Sequence, residues 1–378
     1  MNDVPGMDPP EVGDEPEGHG GAPTTVPPVL LELLAARGPS GYEGVPAAVW
    51  SDAAGAFAQV STDLIGSPLA MVPAKSGSES SPRRLMVMGH IDEIGLIVTH
   101  IDDEGYLWFR PVGGWDAQIL LGQRLVIDTR EGSVTGVVGR KPIHLLREEE
   151  RKKVAEIREM HIDIGARDGE EARELVRIGD VAVIDAQPTP LPNGRITSRA
   201  LDNRLGSYVA LQAARLVAEA GGGEWELAAV AAVQEETTFG GSRTSAFALA
   251  PDAAIVIDVT HATDAPGIDV KESGKHPLGS GPVISRGSTL NHAVFELLFE
   301  TAEAEQIPFT LEASARATGT DADAVHLSRG GVPTGLVSIP LRYMHSPVEL
   351  VQLEDVENAA ALVAAFTLRL NADSSFAR

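Results

Sequence analysis

The sequence predicts an α/β protein built on an open sheet flanked by helices, with a β-rich domain inserted in it. Three observations carry that expectation. Buried-strand and helical patterns alternate in two separated blocks. Between the blocks, from about residue 98 to 189, the texture changes to short alternating runs punctuated by Gly. A chain of 378 residues with 43% hydrophobic side chains is also longer than one ordinary core needs, which suggests two domains.

Taken in chain order, residues 1–28, rich in Pro, Gly and acid, are expected to form a disordered acidic tail. Within residues 29–97, "VLLELLAARGPSGYEG" gives an apolar helix, a Gly-Pro break and then Ser40 and Glu43 at capping-box spacing, so Ser40 is read as the cap of a second helix rather than a nucleophile. "RRLMVMGHIDEIGLIV" is a strand running into a Gly turn and out again. In residues 98–189, "YLWFRPVGG", "QRLVIDT" and "GSVTGVVGRKP" read as small β-strands, and "LLREEERKKVAEIREM" as a solvated helical surface. Across residues 190–372 the α/β rhythm returns: Leu205, Val209, Ala213 and Leu216 share one helical stripe with Tyr208 beside it, and "LAAVAAV" and "AAIVIDV" look like buried parallel strands.

Composition excludes several function classes. A formal net charge of -24 would repel a nucleic-acid backbone or an anionic membrane, and no apolar run is long enough to span a bilayer. The first residues lack the basic start and apolar block of a secretion signal, so the cytoplasm is the expected compartment. With no Cys, any metal must be held by carboxylates and imidazoles.

In open α/β sheets the site lies beyond the carboxyl ends of the strands. Those ends carry His90 and Asp92 after "LMVMG", Asp202 after "ITSRAL", Glu235 and Glu236 after "LAAVAAVQ", Asp258 inside "AAIVIDV", and His345 after "IPLRYM". Moving an ionised carboxylate out of water costs several kcal/mol without a partner, and carboxylates gathered in one crevice repel. Divalent cations would resolve that conflict. Two ions sharing one carboxylate would use about five protein ligands and leave room for a bridging water. His90 and Asp92 are one residue apart, so on extended backbone Asp92 can hydrogen-bond the imidazole whose other nitrogen binds metal. One glutamate of the pair can ligate while the other takes the water's proton. Singly, each residue has a plainer explanation: Asp202 a helix N-cap, the Glu-Glu pair a helix surface, and His100, His144 and His261 structural side chains.

The motifs "GPSGYE", "GHIDEIG", "GRKPIHL", "IDIGA", "LDNRLG", "VQEE", "VIDVTHATDAPG" and "PLRYMHSPVE" occur in an order that resembles the di-metal glutamyl and deblocking aminopeptidases of the tetrahedral aminopeptidase family, over about residues 29 to 370. The resemblance implies a zinc-peptidase-like mixed open sheet with an inserted small β-barrel-like domain that drives oligomerisation, from a dimer up to a tetrahedral dodecamer. It implies two divalent ions, zinc or else cobalt or manganese: His90, Asp202 and Asp258 on one, Asp202, Glu236 and His345 on the other. It makes Glu235 the general base, Asp92 the residue that orients His90, and the Asp202–Asn203 peptide bond cis. The expected activity is hydrolysis of the N-terminal residue from peptides with a free amino end. The loop after the glutamate pair departs from the family pattern Val-Gly-Leu-Arg-Gly-Ala: here "TTFGGS" places Thr238 at a Gly position and Gly240 at the Arg position. Two alternatives are a cellulase-like glycoside hydrolase, which needs two carboxyls about 5 to 10 Å apart and no metal, and a scaffold of the same fold without activity. Aromatic residues for stacking sugars are scarce, at 4%.

Overall fold

The computed structural model describes residues 25–75 and 82–377. The expected tail lies outside the described residues up to residue 24. Within its last stretch, Val26 is buried in the main core and the first helix starts at Pro28 (Pro28–Ala35).

In chain order the strands are β1 (Gln59–Thr62), β2 (Pro68–Val72), β3 (Arg84–His90), β4 (Gly95–Ile101), β5 (Leu107–Val112), β6 (Arg124–Thr129), β7 (Gly132–Gly139), β8 (His161–Asp163), β9 (Val181–Ile184), β10 (Thr189–Leu191), β11 (Arg195–Ser198), β12 (Glu226–Ala232), β13 (Ala253–His261), β14 (Val283–Gly287), β15 (Thr310–Ser314), β16 (Thr334–Leu341) and β17 (Glu349–Gln352). They form an eight-stranded mixed sheet in the order β1-β2-β12-β3-β13-β16-β14-β15, a closed barrel β4-β5-β8-β7-β6-β9, and a small sheet β10-β11-β17. This is the expected α/β class. The chain leaves the large sheet after β3, builds the barrel around its own core of Leu96, Leu107, Leu125, Ile127 and Ile162, and then returns.

The centre of the large sheet positions everything else. Strands β12, β3, β13 and β16 lie side by side and parallel, with Ala232 opposite His90 and Asp258 opposite Ser338. Helices cover both faces, which is why these strands read as unbroken apolar runs. Being parallel, they end along one edge of the sheet, and the polar residues that follow them meet there.

The helix Leu201–Glu219 lies across this sheet with Leu205, Val209 and Ala213 fully buried, Tyr208 nearly so and Leu216 at the margin of the core. Its approach is unusually close. A Cβ on Gly89 would stand 2.3 Å from the carbonyl carbon of Gly206, so strand and helix backbones touch where either would otherwise carry a side chain. Asp202 is not the cap of this helix: Ala200 occupies that position, and Asp202 has non-helical φ -79 and ψ 106 ahead of a cis Asp202–Asn203 peptide bond.

A buried ion cluster ties these elements together. Glu93 pairs with Arg199 and, at 2.8 Å, with Arg204, and the two guanidinium groups donate onward to the carbonyls of Leu33, Ala35 and Ala36 at the end of the first helix. Burial alone would push Glu93 up, but the two arginines hold it below the usual carboxylate range.

Two expectations change. Ser40 caps no helix: the second helix, Gly44–Ala54, has Glu43 at its cap position, with a side chain that makes no capping bond to that helix, and the Ser40 hydroxyl pairs instead with Thr237 at 2.9 Å. The charged segment forms only the short helix Glu148–Arg151 between two single turns, Ile143–Leu145 and Ile157–Glu159. It carries no apolar stripe to pack, and helices this short are not stable without packing.

Replacing Gly89 by Ala is expected to destabilise the protein by at least about 1–3 kcal/mol, because neither backbone can retreat. Chemical denaturation would show it, and an unchanged midpoint would contradict the close approach.

Candidate metal centre and active site

The edge of the sheet gathers all seven residues singled out from the sequence. Nε2 of His90 stands 3.3 Å from Asp202 and 3.7 Å from Glu235, and Nδ1 of the same ring 3.3 Å from Asp92. Nε2 of His345 stands 3.2 Å from the other oxygen of Asp202 and 3.5 Å from Glu236. Asp202 therefore lies between the two imidazoles. His90, Glu235 and Asp258 can each place one ligand atom within 4.8 Å of the others, and so can His90, Asp202 and Glu236. Both sets differ from those implied by the resemblance: the first holds Glu235 where Asp202 was expected, and the second holds His90 where His345 was expected, although Nε2 of His345 also faces Asp202 and Glu236.

Each group is delivered by its backbone. His90 ends β3, Asp258 lies within β13, and the glutamate pair opens the one-turn helix Glu235–Thr238 just past β12. Asp92 is fully buried and accepts from the N–H of Glu235 and the N–H of Glu236, both at 3.1 Å, so it places the glutamate pair as well as facing His90. Several neighbours of the cluster sit in the left-handed region with φ near +60: Ala200, Gln234, Phe239, Tyr343 and His345. Such backbone costs on the order of 1–3 kcal/mol per residue and persists only where surroundings enforce it. Glu43 accepts from the N–H of Gln234 at 3.0 Å, and Glu349 accepts from the N–H of His345 at 2.9 Å and of Asp202 at 3.0 Å.

The electrostatics are those of an uncompensated anionic crevice. Among the described residues no Lys or Arg pairs with Asp202, Glu235, Glu236 or Asp258. Burial raises Glu235 to about 10, opposed by His90 and reinforced by Asp258. Burial and then Asp202 raise Glu236 to about 8; burial, against His90 and with Asp202, raises Asp258 to about 8. Against its own burial, Asp202 is held below the usual carboxylate range by His345 and His90. Its hydrogen bond to Asp202 is the main influence lifting His345 to about 9. Oxygen and imidazole donors in this number, buried and short of cations, suit divalent metal.

The centre forms the floor of a cleft of about 540 Å³ lined also by Thr237, Thr238, Phe239, Thr260, His261, Glu312 and Met344. His261, read from the sequence as structural, thus faces the cleft. The barrel reaches in as well: the Gly114 carbonyl accepts from Nδ1 of His345 at 2.9 Å, leaving Nε2 toward Asp202 and Glu236. Where the loop departs from the family pattern, a Cβ on Gly240 would stand 2.9 Å from Oε1 of Gln234, so that side chain occupies the room a larger residue would need. Sequence reasoning missed Glu43, Glu349 and Asp321. Asp321 is buried near Glu235 and Asp258 with neither oxygen hydrogen-bonded among the described residues. Only Glu349, four residues after His345, sat close enough to a candidate ligand to have been suspected.

Comparison with known proteins gives the family and the fold. The model of the M42 glutamyl aminopeptidase family matches residues 70–362. A lysyl aminopeptidase of Pyrococcus furiosus is 35% identical over 89% of this chain and 95% of its own length. The crystal structure of a TET aminopeptidase from the marine sediment archaeon Thaumarchaeota archaeon SCGC AB-539-E09 superposes with a TM-score of 0.85 at 36% identity, covering 91% of this chain and 97% of that one. The Pyrococcus horikoshii TET1 peptidase, described as assembling into a tetrahedron or a large octahedral shell, gives a TM-score of 0.79 at 31% identity over 90% of this chain and 99% of that one.

The shifted groups predict a pH dependence. In the metal-free protein the raised carboxylates hold protons that the unfolded chain has released, so their stabilisation is complete below their ordinary values near 4 and is lost as pH rises through about 8. His345 acts in the same direction between its ordinary 6.5 and about 9. Thermal melts of metal-free protein should therefore fall between about pH 5 and pH 9, and zinc should reverse the trend because its ligands bind deprotonated. Melting temperatures independent of pH without metal would contradict the cluster.

Proposed function

Because the chain belongs to the M42 glutamyl aminopeptidase family and is a metal-dependent aminopeptidase, we propose that His90, Asp202 and Asp258 hold one divalent ion, that Asp202, Glu236 and His345 hold a second, and that Glu235 is the general base. The observation that carries this proposal is the convergence of two imidazoles and four carboxylates, without a basic partner, on the floor of one cleft. Zinc, cobalt or manganese bound there would supply Lewis acidity and a water of lowered pKa.

The chain's own groups do the rest. Glu235 takes the proton of the attacking water and returns it to the departing amine. Asp92 faces Nδ1 of His90 at 3.3 Å and, through two backbone N–H groups, holds the turn that carries Glu235. Glu349 fixes the backbone under Asp202 and His345. The acidic floor attracts a free amino terminus, which would confine cleavage to chain ends.

We assign residues 29–97 and 190–372 to the catalytic unit and 98–189 to an oligomerisation domain, although the barrel strand β4 already opens at Gly95, three residues before that boundary. Large exposed apolar side chains on that insert, Ile143, Leu145, Val154 and Ile178, support contact with further copies of the chain. Similarity to a TET peptidase whose structure is a dodecamer favours a tetrahedral assembly. Among the described residues no helix is long and apolar enough to cross a membrane; together with the acidic, Cys-free composition this supports a cytoplasmic peptidase that binds neither membrane nor nucleic acid.

Glu235→Gln is expected to keep its metal content and lose turnover of aminoacyl p-nitroanilides by about 10²–10⁴; a rate near that of the parent protein would remove Glu235 from the role of base. Exhaustive chelation should abolish activity, with restoration by zinc, cobalt or manganese, and persistence of full activity would overturn the metal mechanism. Sedimentation velocity should show a particle many times the monomer mass, whereas a monomer alone would refute the assembly.

A further inference from the structure

We infer that Glu312 makes the enzyme selective for peptides whose N-terminal residue is basic, lysine or arginine. The inference rests on the aminopeptidase reading and names the side chain its cleft accepts. Among the described residues, Glu312 is the one carboxylate outside the Asp202, Glu235, Glu236 and Asp258 cluster that lines the cleft, and no Lys or Arg lines it. It projects from β15, at the edge of the large sheet. One of its oxygens accepts from the Thr260 hydroxyl at 3.3 Å and the other from the Ser285 hydroxyl at 3.2 Å. These hydroxyls orient the carboxylate without neutralising it, and each oxygen keeps capacity for a further donor. Among the described residues no cation lies within ion-pair distance of it. The buried ring of His276 senses Glu312, but its burial pushes its pKa down and its Nδ1 is engaged by the Thr310 hydroxyl at 2.7 Å, so it stays neutral.

The placement suits an N-terminal side chain. Thr260 follows Asp258 by two residues on β13, so both point to the same face of the strand, about 7 Å apart along it. A peptide whose amino end and scissile carbonyl sit at the Asp258 end would have its first side chain directed along the cleft, and a lysine's four-carbon stem spans such a gap. The charged head would then meet a pre-oriented carboxylate in a partly desolvated setting, where charge-assisted hydrogen bonds are strong. A glutamyl side chain would meet repulsion there.

A purely structural Glu312, serving only to join β13 and β14 through their hydroxyls, is separable from this role because Gln keeps the acceptor and removes the charge. With metal-loaded protein, the kcat/KM for lysyl p-nitroanilide should exceed that for glutamyl p-nitroanilide by more than about tenfold, and Glu312→Gln should lower the lysyl-to-leucyl ratio by about tenfold or more. Glu312→Lys should reverse the order of lysyl and glutamyl substrates. Ratios are the readout, so a general loss of folded protein cancels. Leucyl turnover with a lysyl-to-leucyl ratio unchanged in both variants would overturn the inference alone. Failure of the parent protein to hydrolyse any of the three substrates with any of the metals would overturn the aminopeptidase reading and this inference with it.

Discussion

Everything at the carboxyl edge of the sheet answers to the difficulty of holding several anions in a small space away from water. The packing of four parallel strands leaves no choice about where their ends meet, so the residues that follow them are forced together. The surrounding structure absorbs that crowding with fixed hydrogen bonds: Asp92, Glu43 and Glu349, all buried or nearly so, accept backbone N–H groups from the segments that carry the clustered acids and imidazoles. The left-handed residues Gln234 and His345 are stable because each gives its N–H to one of these carboxylates. The scaffold thus provides acceptors rather than cations, and the crevice stays anionic.

Two adjacent carboxylates show how the same chemistry serves different ends. Glu93 is compensated by Arg199 and Arg204 and holds the first helix, the sheet and the long helix in one arrangement. Asp92, one residue earlier, faces His90 and the glutamate turn and, among the described residues, pairs with no arginine. A buried acid with its own guanidinium partners is a structural fixture, whereas acids left facing imidazoles are open to an ion from solution. That contrast separates framework from site more sharply than burial, since both residues are sealed from solvent.

Much of this was legible in the chain because strand ends are marked by where apolar runs stop. "LMVMGH", "LAAVAAVQEE" and "AAIVIDV" each announce both a buried strand and the ligand-type residue at its end. The one-residue spacing of His90 and Asp92 conveyed their mutual facing. What could not be read were contacts made across long separations. Glu43 meets Gln234 across 191 residues, and Ser40 meets Thr237 across 197, so a local capping pattern misled. Glu312 and His261 enter the cleft only through the order of the sheet, and the charge-rich stretch near residue 150 carried helix-forming residues with nothing to pack against.

The hydrogen bond from the His345 ring to the Gly114 carbonyl joins the catalytic unit to a loop of the barrel 231 residues away in sequence. It determines which tautomer of the imidazole prevails, and therefore which nitrogen is free to bind. The barrel is for this reason not an interchangeable module: it sets the orientation and the tautomer of an imidazole it does not itself supply.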